Sequence, residues 1–201
     1  MSNIESLIQK AQATNDKELY VQIGNVYMVG KNTTKDMSKA FTYYKKAADL
    51  GSADGKTQLG ILYYRGYGVT RDCSMAKKYF QAASSEGSVA ALFQLGMMCY
   101  NGDYGFFAGK GKAFEFWLKA AKKGYVEAQY NIATSYLDDT WGEEKSDRKA
   151  AFWYMCAYQN RKASKKTIED AKAQLVRLSN RVDLNSIKDE IVRKYPQYLN
   201  L

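Results

Sequence analysis

Two serine–lysine pairs are the residues of this chain whose spacing could support catalysis. Ser74 precedes Lys77 by three positions, and Ser146 precedes Lys149 by the same interval. This spacing can bring a serine nucleophile and a lysine amine together on one helix. The sequence contains no histidine, which removes the usual general base of serine and cysteine hydrolases and most catalytic zinc sites.

We interpret both serine–lysine pairs as structural. The spacing occurs in serine β-lactamases, but neither pair is accompanied by the KTG or SDN elements of those enzymes. Each pair lies at the start of a predicted helix, where serine is a common cap or first-turn residue. A penicillin-binding or β-lactamase-like hydrolase is therefore kept only as an alternative, with Ser74 or Ser146 as its nucleophile.

Other patterns that could bind a ligand are incomplete. The acid pairs Asp138–Asp139 and Glu143–Glu144 are neighbours on a predicted loop and lack a fixed third ligand, so they would hold a metal weakly. The stretch GKGK, residues 109–112, lacks the spacing of a phosphate-binding loop. We predict no catalytic residue, no metal and no cofactor.

Composition favours a helical protein of the cytoplasm. The chain has 201 residues, of which 46% are hydrophobic and 25% charged, and its one proline is Pro196. Three cysteines at unrelated spacings do not suggest a disulfide framework. We expect no transmembrane helix, because no apolar run reaches eighteen residues, and we expect no secretion signal.

A repeat in the sequence indicates which helices would position any functional residue. Gly60 lies inside an apolar helical pattern, where glycine costs about 1 kcal/mol relative to alanine. Small residues recur in phase with it, at spacings of 36 or 37 residues: first Gly24, Gly60, Gly96 and Ala133, then Ala40, Ala76, Ala113 and Ala150. An aromatic pair follows each second small residue: Tyr43–Tyr44, Tyr79–Phe80, Phe116–Trp117 and Trp153–Tyr154. Closing glycines complete three of the copies: Gly51, Gly87 and Gly124. Such a period indicates stacked supersecondary units.

Each unit is predicted to be a pair of helices. The second copy places one helix over about 53–64 and another over about 73–86, with Gly87 in the left-handed conformation that ends the second helix. A small residue at position 60 lets the two helices approach closely, and large neighbours such as Tyr79 and Phe80 then pack over the contact. Ala133 fits this requirement, because it is small without being glycine.

The second copy, GKTQLGILYYRGYGVTRDCSMAKKYFQAASSEG, resembles the Sel1-like repeat, a relative of the tetratricopeptide repeat. The resemblance is good in the first and third copies and weaker in the fourth, which has Arg161 in place of the closing glycine. It implies an all-α fold, a right-handed α-solenoid of stacked antiparallel helix pairs. We predict an N-terminal capping helix at 1–16, four repeats at 17–52, 53–88, 89–125 and 126–162, and basic capping helices at 163–201.

The first helix of each repeat is expected to line a concave groove that binds a partner. Candidate groove residues lie two before, one after and five after the recurring small residue: Gln22, Asn25, Gln58, Ile61, Arg65, Gln94, Met97, Asn101, Asn131 and Thr134. In tetratricopeptide proteins the corresponding row grips a peptide or a partner helix, and amides suit that task because they both donate and accept. The alternative is that these side chains only join neighbouring helices or meet water.

Aromatic residues in the predicted loops form a second candidate surface, a loop rim: Tyr67, Tyr104, Phe106, Phe107 and Trp141. They suit a binding hot spot, although each could also fold back over its own repeat. The net charge of +9 suits an acidic partner surface. From Lys145 onward there are thirteen Lys or Arg against six Asp or Glu, but this tail lacks the interleaved aromatic residues of a nucleic-acid interface.

The sequence therefore predicts a non-enzymatic scaffold or adaptor for a protein or peptide, without membrane insertion. The family resemblance leaves a second role open, that of a bacterial immunity protein that neutralises a cognate secreted toxin. Nothing in the residues selects between these roles or fixes the oligomeric state.

Overall fold

A computed structural model describes residues 3–30, 32–103, 109–142 and 144–198 of the chain. Within these residues every regular element is helical, as predicted. The α-helices are α1 (Asn3–Thr14), α2 (Lys17–Val29), α3 (Met37–Asp49), α4 (Ala53–Arg65), α5 (Cys73–Ser85), α6 (Val89–Asn101), α7 (Gly109–Lys122), α8 (Val126–Ser135), α9 (Asp147–Gln159), α10 (Lys165–Leu178) and α11 (Leu184–Lys194). Short 3-10 helices cover Asp139–Trp141 and Pro196–Tyr198. The fold is an α-solenoid of packed helix pairs.

The helices form two compact units, Met1–Ala91 and Leu92–Leu201. In the first unit each helix packs on the next one in the chain, from α1 to α5. In the second unit α7 packs on α8, α8 packs on α9, and α9 packs on both α10 and α11. The two helices predicted for the basic tail therefore cover the last repeat.

Helix starts are fixed by acidic or hydroxyl caps. In eight of the described α-helices the residue before the first turn accepts a backbone N–H from that turn: Asp16, Asp36, Ser52, Asp72, Ser88, Ser146, Ser164 and Asp183. Each such cap stabilises a helix by about 1 kcal/mol. The helix α8 begins without one, because Tyr125 before it makes no side-chain hydrogen bond to the first turn.

The loops within the repeats close by one shared hydrogen bond. The cap residue before the second helix donates its backbone N–H to a tyrosine carbonyl of the first helix, at 2.9 Å in three repeats: Asp36 to Tyr27, Asp72 to Tyr63 and Ser146 to Tyr136. The fourth-repeat loop is longer than the first two, yet it closes in the same way. Loop length therefore varies without changing how the two helices meet.

The prediction for the recurring glycines is confirmed. A Cβ atom added at Gly60 would lie 2.5 Å from Cε1 of Phe80, and one at Gly24 would lie 2.5 Å from Cε1 of Tyr44. Gly96 meets Trp117 in the same manner. In the first three repeats the second aromatic residue of the pair thus packs its ring on the glycine.

The first aromatic residue of the pair also packs across the contact between the two helices, as predicted, but on a different residue. The ring of Tyr79 stacks on that of Tyr63 of α4, with centroids 5.7 Å apart, whereas the atoms nearest to a Cβ at Gly60 belong to Phe80. Successive residues of a helix point about 100° apart, so the two rings meet different residues of α4.

Small residues and left-handed glycines occupy their predicted positions. The recurring alanines of the second helices are fully buried: Ala40, Ala76, Ala113, Ala150, Ala47, Ala83, Ala120 and Ala157. Gly51, Gly87 and Gly124 have φ of +80°, +95° and +80°, which favours glycine after a helix end.

The fourth repeat replaces its closing glycine by a polar contact. Asn160 donates from Nδ2 to the carbonyl of Gly124 at 3.0 Å and to Oε1 of Gln129 at 3.3 Å. Gln129 is fully buried and donates in turn to the carbonyl of Ala121 at 3.4 Å. Its amide is therefore satisfied on both sides, as burial requires.

No disulfide joins Cys73, Cys99 and Cys156, in agreement with the sequence prediction. Among the described residues, none of the helices has the length and apolarity needed to cross a membrane.

Candidate functional site

The type of residue directly after the recurring small residue is matched to the aromatic ring that packs on that small residue. The buried hydroxyl of Tyr44 donates to Oδ1 of Asn25 at 2.7 Å. In the fourth repeat the hydroxyls of Thr134 and Tyr154 lie 2.9 Å apart. Asn25 and Thr134 therefore satisfy tyrosines of their own repeats, a role that the sequence prediction did not assign to them.

The same position is apolar where the aromatic ring has no hydroxyl. Ile61 accompanies Phe80 in the second repeat, and Met97 accompanies Trp117 in the third. Trp117 donates its indole N–H to the carbonyl of Phe93 at 3.3 Å instead. Ile61 and Met97 are both half-buried. This part of the predicted groove row thus follows the type of aromatic ring in each repeat, although Asn25 and Thr134 are themselves exposed.

The amide row is defined as Gln22 and Gln58 of the first unit and Gln94 and Asn131 of the second unit. Gln22 is exposed and the other three side chains are half-buried. Within the described part of the chain, none of the four side chains forms a hydrogen bond. Amides in this condition can donate to and accept from a partner backbone.

The residues five after the small residue lie on the surface. Arg65 is exposed, and the carbon of its guanidinium group lies 5.6 Å from the ring centroid of Tyr64. Asn101 is also exposed. These two extend the amide row toward the loops.

The loop-rim residues fall into three groups. Tyr67 is 46% exposed and presents its ring to solvent. Trp141 is only 8% exposed, because it stacks on Tyr100 with ring centroids 5.4 Å apart and packs on Trp117 at 5.5 Å. Lys110 covers the same indole at 5.2 Å. Tyr104, Phe106 and Phe107 lie outside the described residues.

Trp141 of the fourth repeat therefore packs on the third repeat, and not over its own repeat as the alternative reading of the sequence had it. The exposed aromatic surface at this place belongs to Tyr100, which is 47% exposed and was not among the predicted residues. Tyr100 stands one position later than the tyrosines Tyr27 and Tyr63 of the first two repeats, and Cys99 occupies their place. This shift by one position was the sequence signal that could have identified Tyr100.

Two cavities beside α10 were missed by the sequence prediction. The first has a volume of about 120 Å³ and is lined by Glu127, Tyr130, Asn131, Thr167 and Asp170. The second has a volume of about 180 Å³ and is lined by Leu137, Lys145, Asp147, Gln174, Arg177, Leu178 and Arg181. The first cavity contains one residue of the amide row, Asn131. The spacing of the α10 residues was visible in the sequence, but the segments that face them were not.

Tyr130 lines the first of these cavities. Its ring packs edge-on against Tyr154 with centroids 5.2 Å apart. Burial, and next the negative charge of Asp170, raise the pKa of Tyr130 above its usual value. The phenol is therefore a neutral hydrogen-bonding group at physiological pH.

The serine–lysine pairs and the acidic loop have structural contacts. Oγ of Ser146 accepts the backbone N–H of Lys149 at 3.2 Å, as a helix cap does, and Ser74 lies in the first turn of α5. Asp138 accepts the backbone and side-chain groups of Thr140 at 2.9 and 2.8 Å, which hold the pKa of its carboxyl below the usual value. Over the described ranges, no group of three or more acidic or cysteine side chains is placed to hold a metal ion.

Comparisons with known proteins identify the repeat. A family model described as the Sel1 repeat matches residues 20–52, 53–88, 89–125 and 126–160. A search of curated protein sequences gave no match.

Several solved structures are similar. A Sel1 repeat protein from Oxalobacter formigenes has a TM-score of 0.68 at 22% identity, over 87% of this chain and 84% of that one. The protective antigen c5321 of uropathogenic Escherichia coli, which displays an SLR fold, has a TM-score of 0.65 at 22% identity. That match covers 95% of this chain but only 44% of the antigen. The immunity protein Pa5087 from Pseudomonas aeruginosa has a TM-score of 0.55 at 19% identity, over 89% and 74% of the two chains.

Proposed function

Because the chain belongs to the Sel1 repeat family, we propose that it is a non-enzymatic scaffold or adaptor that binds another protein or peptide. Members of such helical repeat families offer the exposed faces of stacked helices as a preformed surface. A preformed surface loses little conformational entropy on association, which favours binding. In each unit, the proposed contact surface is that unit's own part of the amide row, Gln22 and Gln58 or Gln94 and Asn131, with the exposed residues beside it.

The observation that carries this proposal is the contrast between two neighbouring positions of the same helices. The position after the small residue serves the repeat itself, as with Asn25 and Thr134. The amide row, three residues earlier, has no such internal role in the described residues, although its side chains are polar in all four repeats. Polar groups without a structural partner are the ones that a binding partner can use.

The charge of the chain suits an acidic partner. A net charge of +9 raises the rate of encounter with an oppositely charged surface, and this effect weakens as salt rises. The proposal does not require a membrane or nucleic acid.

Toxin neutralisation is the second candidate. The solved structure of the immunity protein Pa5087 has a similar fold, so a protein with this architecture can act as an immunity protein. The two candidates differ in the number of partners: an immunity protein binds one toxin tightly and stoichiometrically, whereas an adaptor binds several partners more weakly.

Affinity capture from the native cell, followed by mass spectrometry, tests the proposal. The wild-type chain is compared with a variant that carries Gln58→Ala, Gln94→Ala and Asn131→Ala. A control variant carries Gln9→Ala, Gln12→Ala and Gln81→Ala, which remove exposed amides outside the row. We expect the first variant to lose the captured partner and the control to keep it.

Unchanged affinity of the first variant for the identified partner would exclude the amide row as the binding surface. Turnover of any substrate by the purified chain would contradict the non-enzymatic part of the proposal. A single toxin captured at a one-to-one ratio would favour the immunity role.

A further inference from the structure

The loop from α4 to α5 in the first unit, here the 65–71 loop, presents an exposed tyrosine between two arginines. Its sequence is RGYGVTR, with Arg65 and Arg71 at its ends and Tyr67 between them. Both arginines are exposed, and Tyr67 is 46% exposed. Tyrosine and arginine are enriched, with tryptophan, at the hot spots of protein interfaces. The composition of this loop therefore favours contact with a protein.

The two arginines of the loop lie at the same aromatic ring. The guanidinium carbons of Arg65 and Arg71 are 5.6 and 5.7 Å from the ring centroid of Tyr64. Nε of Arg71 also donates to the backbone carbonyl of Tyr64 at 3.0 Å, which fixes the position of its guanidinium group. A segment that reaches the ring of Tyr64 consequently meets two positive charges.

The positive charge of Arg65 is not neutralised by an ion pair within the described residues. Asp72, the carboxylate that follows the loop directly, is a helix cap: its Oδ1 accepts the backbone N–H groups of Ser74 and Met75, each at 2.9 Å. The planar guanidinium group of an arginine binds a carboxylate through two parallel hydrogen bonds. A carboxylate from a partner is therefore the chemical complement of this loop.

Glycines hold Tyr67 in its exposed position. Gly66 and Gly68, on either side of it, have φ of +70° and +68°, which favours glycine. The N–H of Tyr67 donates to the carbonyl of Leu62 at 3.0 Å, and Gly68 lies directly against the backbone of Met37, where a Cβ would have no room. A loop fixed in this way loses little conformational entropy when a partner binds.

The 65–71 loop also continues the candidate groove of the first unit. Gln58 of the amide row, Ile61 and Arg65 follow one another on α4 at three- and four-residue intervals, so they share one helix face. A partner segment held by the loop can therefore extend along α4 to the amide of Gln58.

We infer that the 65–71 loop anchors an acidic segment of a partner protein. A carboxylate of that segment binds Arg65 and Arg71, and a neighbouring apolar side chain packs on the ring of Tyr67. This inference rests on the proposed function, because it takes from it that the chain binds a protein or peptide. It adds the chemistry of the partner segment and the place in the first unit where that segment is held.

A protein carboxylate suits this loop better than the phosphates of a nucleic acid. A nucleic-acid strand carries a negative charge at every nucleotide, so it binds best along a run of cations. On the face of α4 that continues from Arg65, the next side chains are Ile61 and Gln58, and the acidic Asp54 follows them. A protein segment can place one acidic residue at the arginines and neutral residues beyond them.

A peptide titration followed by NMR tests the inference. The probe is the capped peptide Gly-Ser-Glu-Phe-Glu-Gly-Ser, and the reference has glutamine in place of both glutamates. Each peptide is added to the full chain labelled with nitrogen-15. We expect the acidic peptide to shift the backbone amide signals of residues 65–71 and to bind about fivefold more tightly than the reference, since exposed ion pairs each change affinity by a small factor.

Three variants separate the charge from the ring. Arg65→Gln should weaken binding of the acidic peptide about threefold and leave the glutamine peptide unaffected. Tyr67→Ala should weaken both peptides, because both carry the phenylalanine that packs on the ring. The control Lys10→Gln removes the same charge from an exposed position of α1 and should bind like the wild-type chain. Circular dichroism should show the same helix content for all four proteins.

Signal shifts that map outside the loop, or equal binding of the two peptides, overturn the inference. An equal loss in Lys10→Gln also overturns it, since net charge alone would then explain the preference. Single-stranded oligothymidine is titrated in the same way. If it binds at the loop more tightly than the acidic peptide, the arginines belong to a nucleic-acid site and the inference is wrong.

The natural partner separates a failure of this inference from a failure of the proposed function. The double variant Arg65→Gln with Tyr67→Ala is compared with the wild-type chain in affinity capture. If the variant keeps the partner that the wild-type chain captures, and the acidic peptide does not bind at the loop, the inference falls and the proposed function stands. If the wild-type chain captures no partner, the proposed function is contradicted whatever the peptides do.

Discussion

The hydroxyl of Tyr44 donates a 2.7 Å hydrogen bond to Oδ1 of Asn25, from a ring that has no exposed surface. This ring also packs on Gly24, the residue before Asn25. Two adjacent residues of α2 thus contact one aromatic side chain of α3. Gly24 leaves room for the ring of Tyr44, and Asn25 accepts a hydrogen bond from its hydroxyl. The second repeat meets the same need with Gly60, Ile61 and Phe80, where no hydroxyl is present.

Replacing Asn25 by isoleucine should destabilise the protein, because the buried Tyr44 hydroxyl then keeps only the Sδ of Met28, a weak acceptor 3.6 Å away. A buried hydroxyl without a good acceptor costs up to about 1–3 kcal/mol. Adding Tyr44→Phe should recover most of that loss, since the pair then matches Ile61 and Phe80 of the second repeat. The free energies of unfolding of both single variants and the double variant form a cycle that can be measured with urea. Additive losses would show that the hydrogen bond does not couple the two residues.

Gly60→Ala should destabilise the protein although alanine is the better helix former. Its Cβ would lie 2.5 Å from the ring of Phe80, and overpacking of a close contact costs about 1–3 kcal/mol. Gly111→Ala is the matched control in α7, because its Cβ would meet no atom closer than the Trp141 carbonyl oxygen at 3.8 Å. That variant should gain up to about 1 kcal/mol from helix propensity. Thermal unfolding compares the two, and equal effects would contradict the packing role of Gly60.

The close packing of the two helices in each repeat could be predicted, because it depends on a small residue and an aromatic residue at a fixed spacing. Gly60 and Phe80 are twenty residues apart in one repeat, and the same relation joins Gly24 with Tyr44. The role of Asn25 was also accessible, since a polar residue follows the small one only in the repeats whose facing ring is a tyrosine. That signal is a correlation between two positions, which inspection of each position alone does not reveal.

The cavities beside α10 and the burial of Trp141 could not be predicted from the sequence. The spacing of Asp170, Gln174 and Arg177 shows one helix face, but the segments opposite that face are decided by how α10 packs on the last repeat. Trp141 lies in a loop with a sequence unlike the others, and its position depends on the path of that loop. In both cases one of the packed segments, α10 or this loop, has no counterpart in the other repeats.

Only Cys73 should react readily with a thiol reagent in the native protein. Cys99 and Cys156 have no exposed surface, and burial raises the pKa of the Cys156 thiol far above its usual value, so its thiolate is scarce at pH 8. Cys73 is half-buried in the first turn of α5. Titration with a chromogenic disulfide should therefore report one fast thiol, which Cys73→Ser removes, and three thiols after denaturation. Rapid reaction of all three thiols in the native state would contradict the burial of Cys99 and Cys156.

Ser146 should behave as a helix cap and not as a nucleophile. Its Oγ accepts the backbone N–H of Lys149 at 3.2 Å, so Ser146→Ala should lower the free energy of unfolding by about 1 kcal/mol. Ser146→Asp should restore the loss, because a carboxylate caps a helix as well as a hydroxyl does and cannot act as the serine nucleophile. In parallel, the wild-type chain should form no covalent adduct with a fluorescent penicillin, as judged by mass spectrometry. An adduct on Ser146 or Ser74 would instead support the hydrolase alternative, since capping alone gives a serine no reason to be acylated.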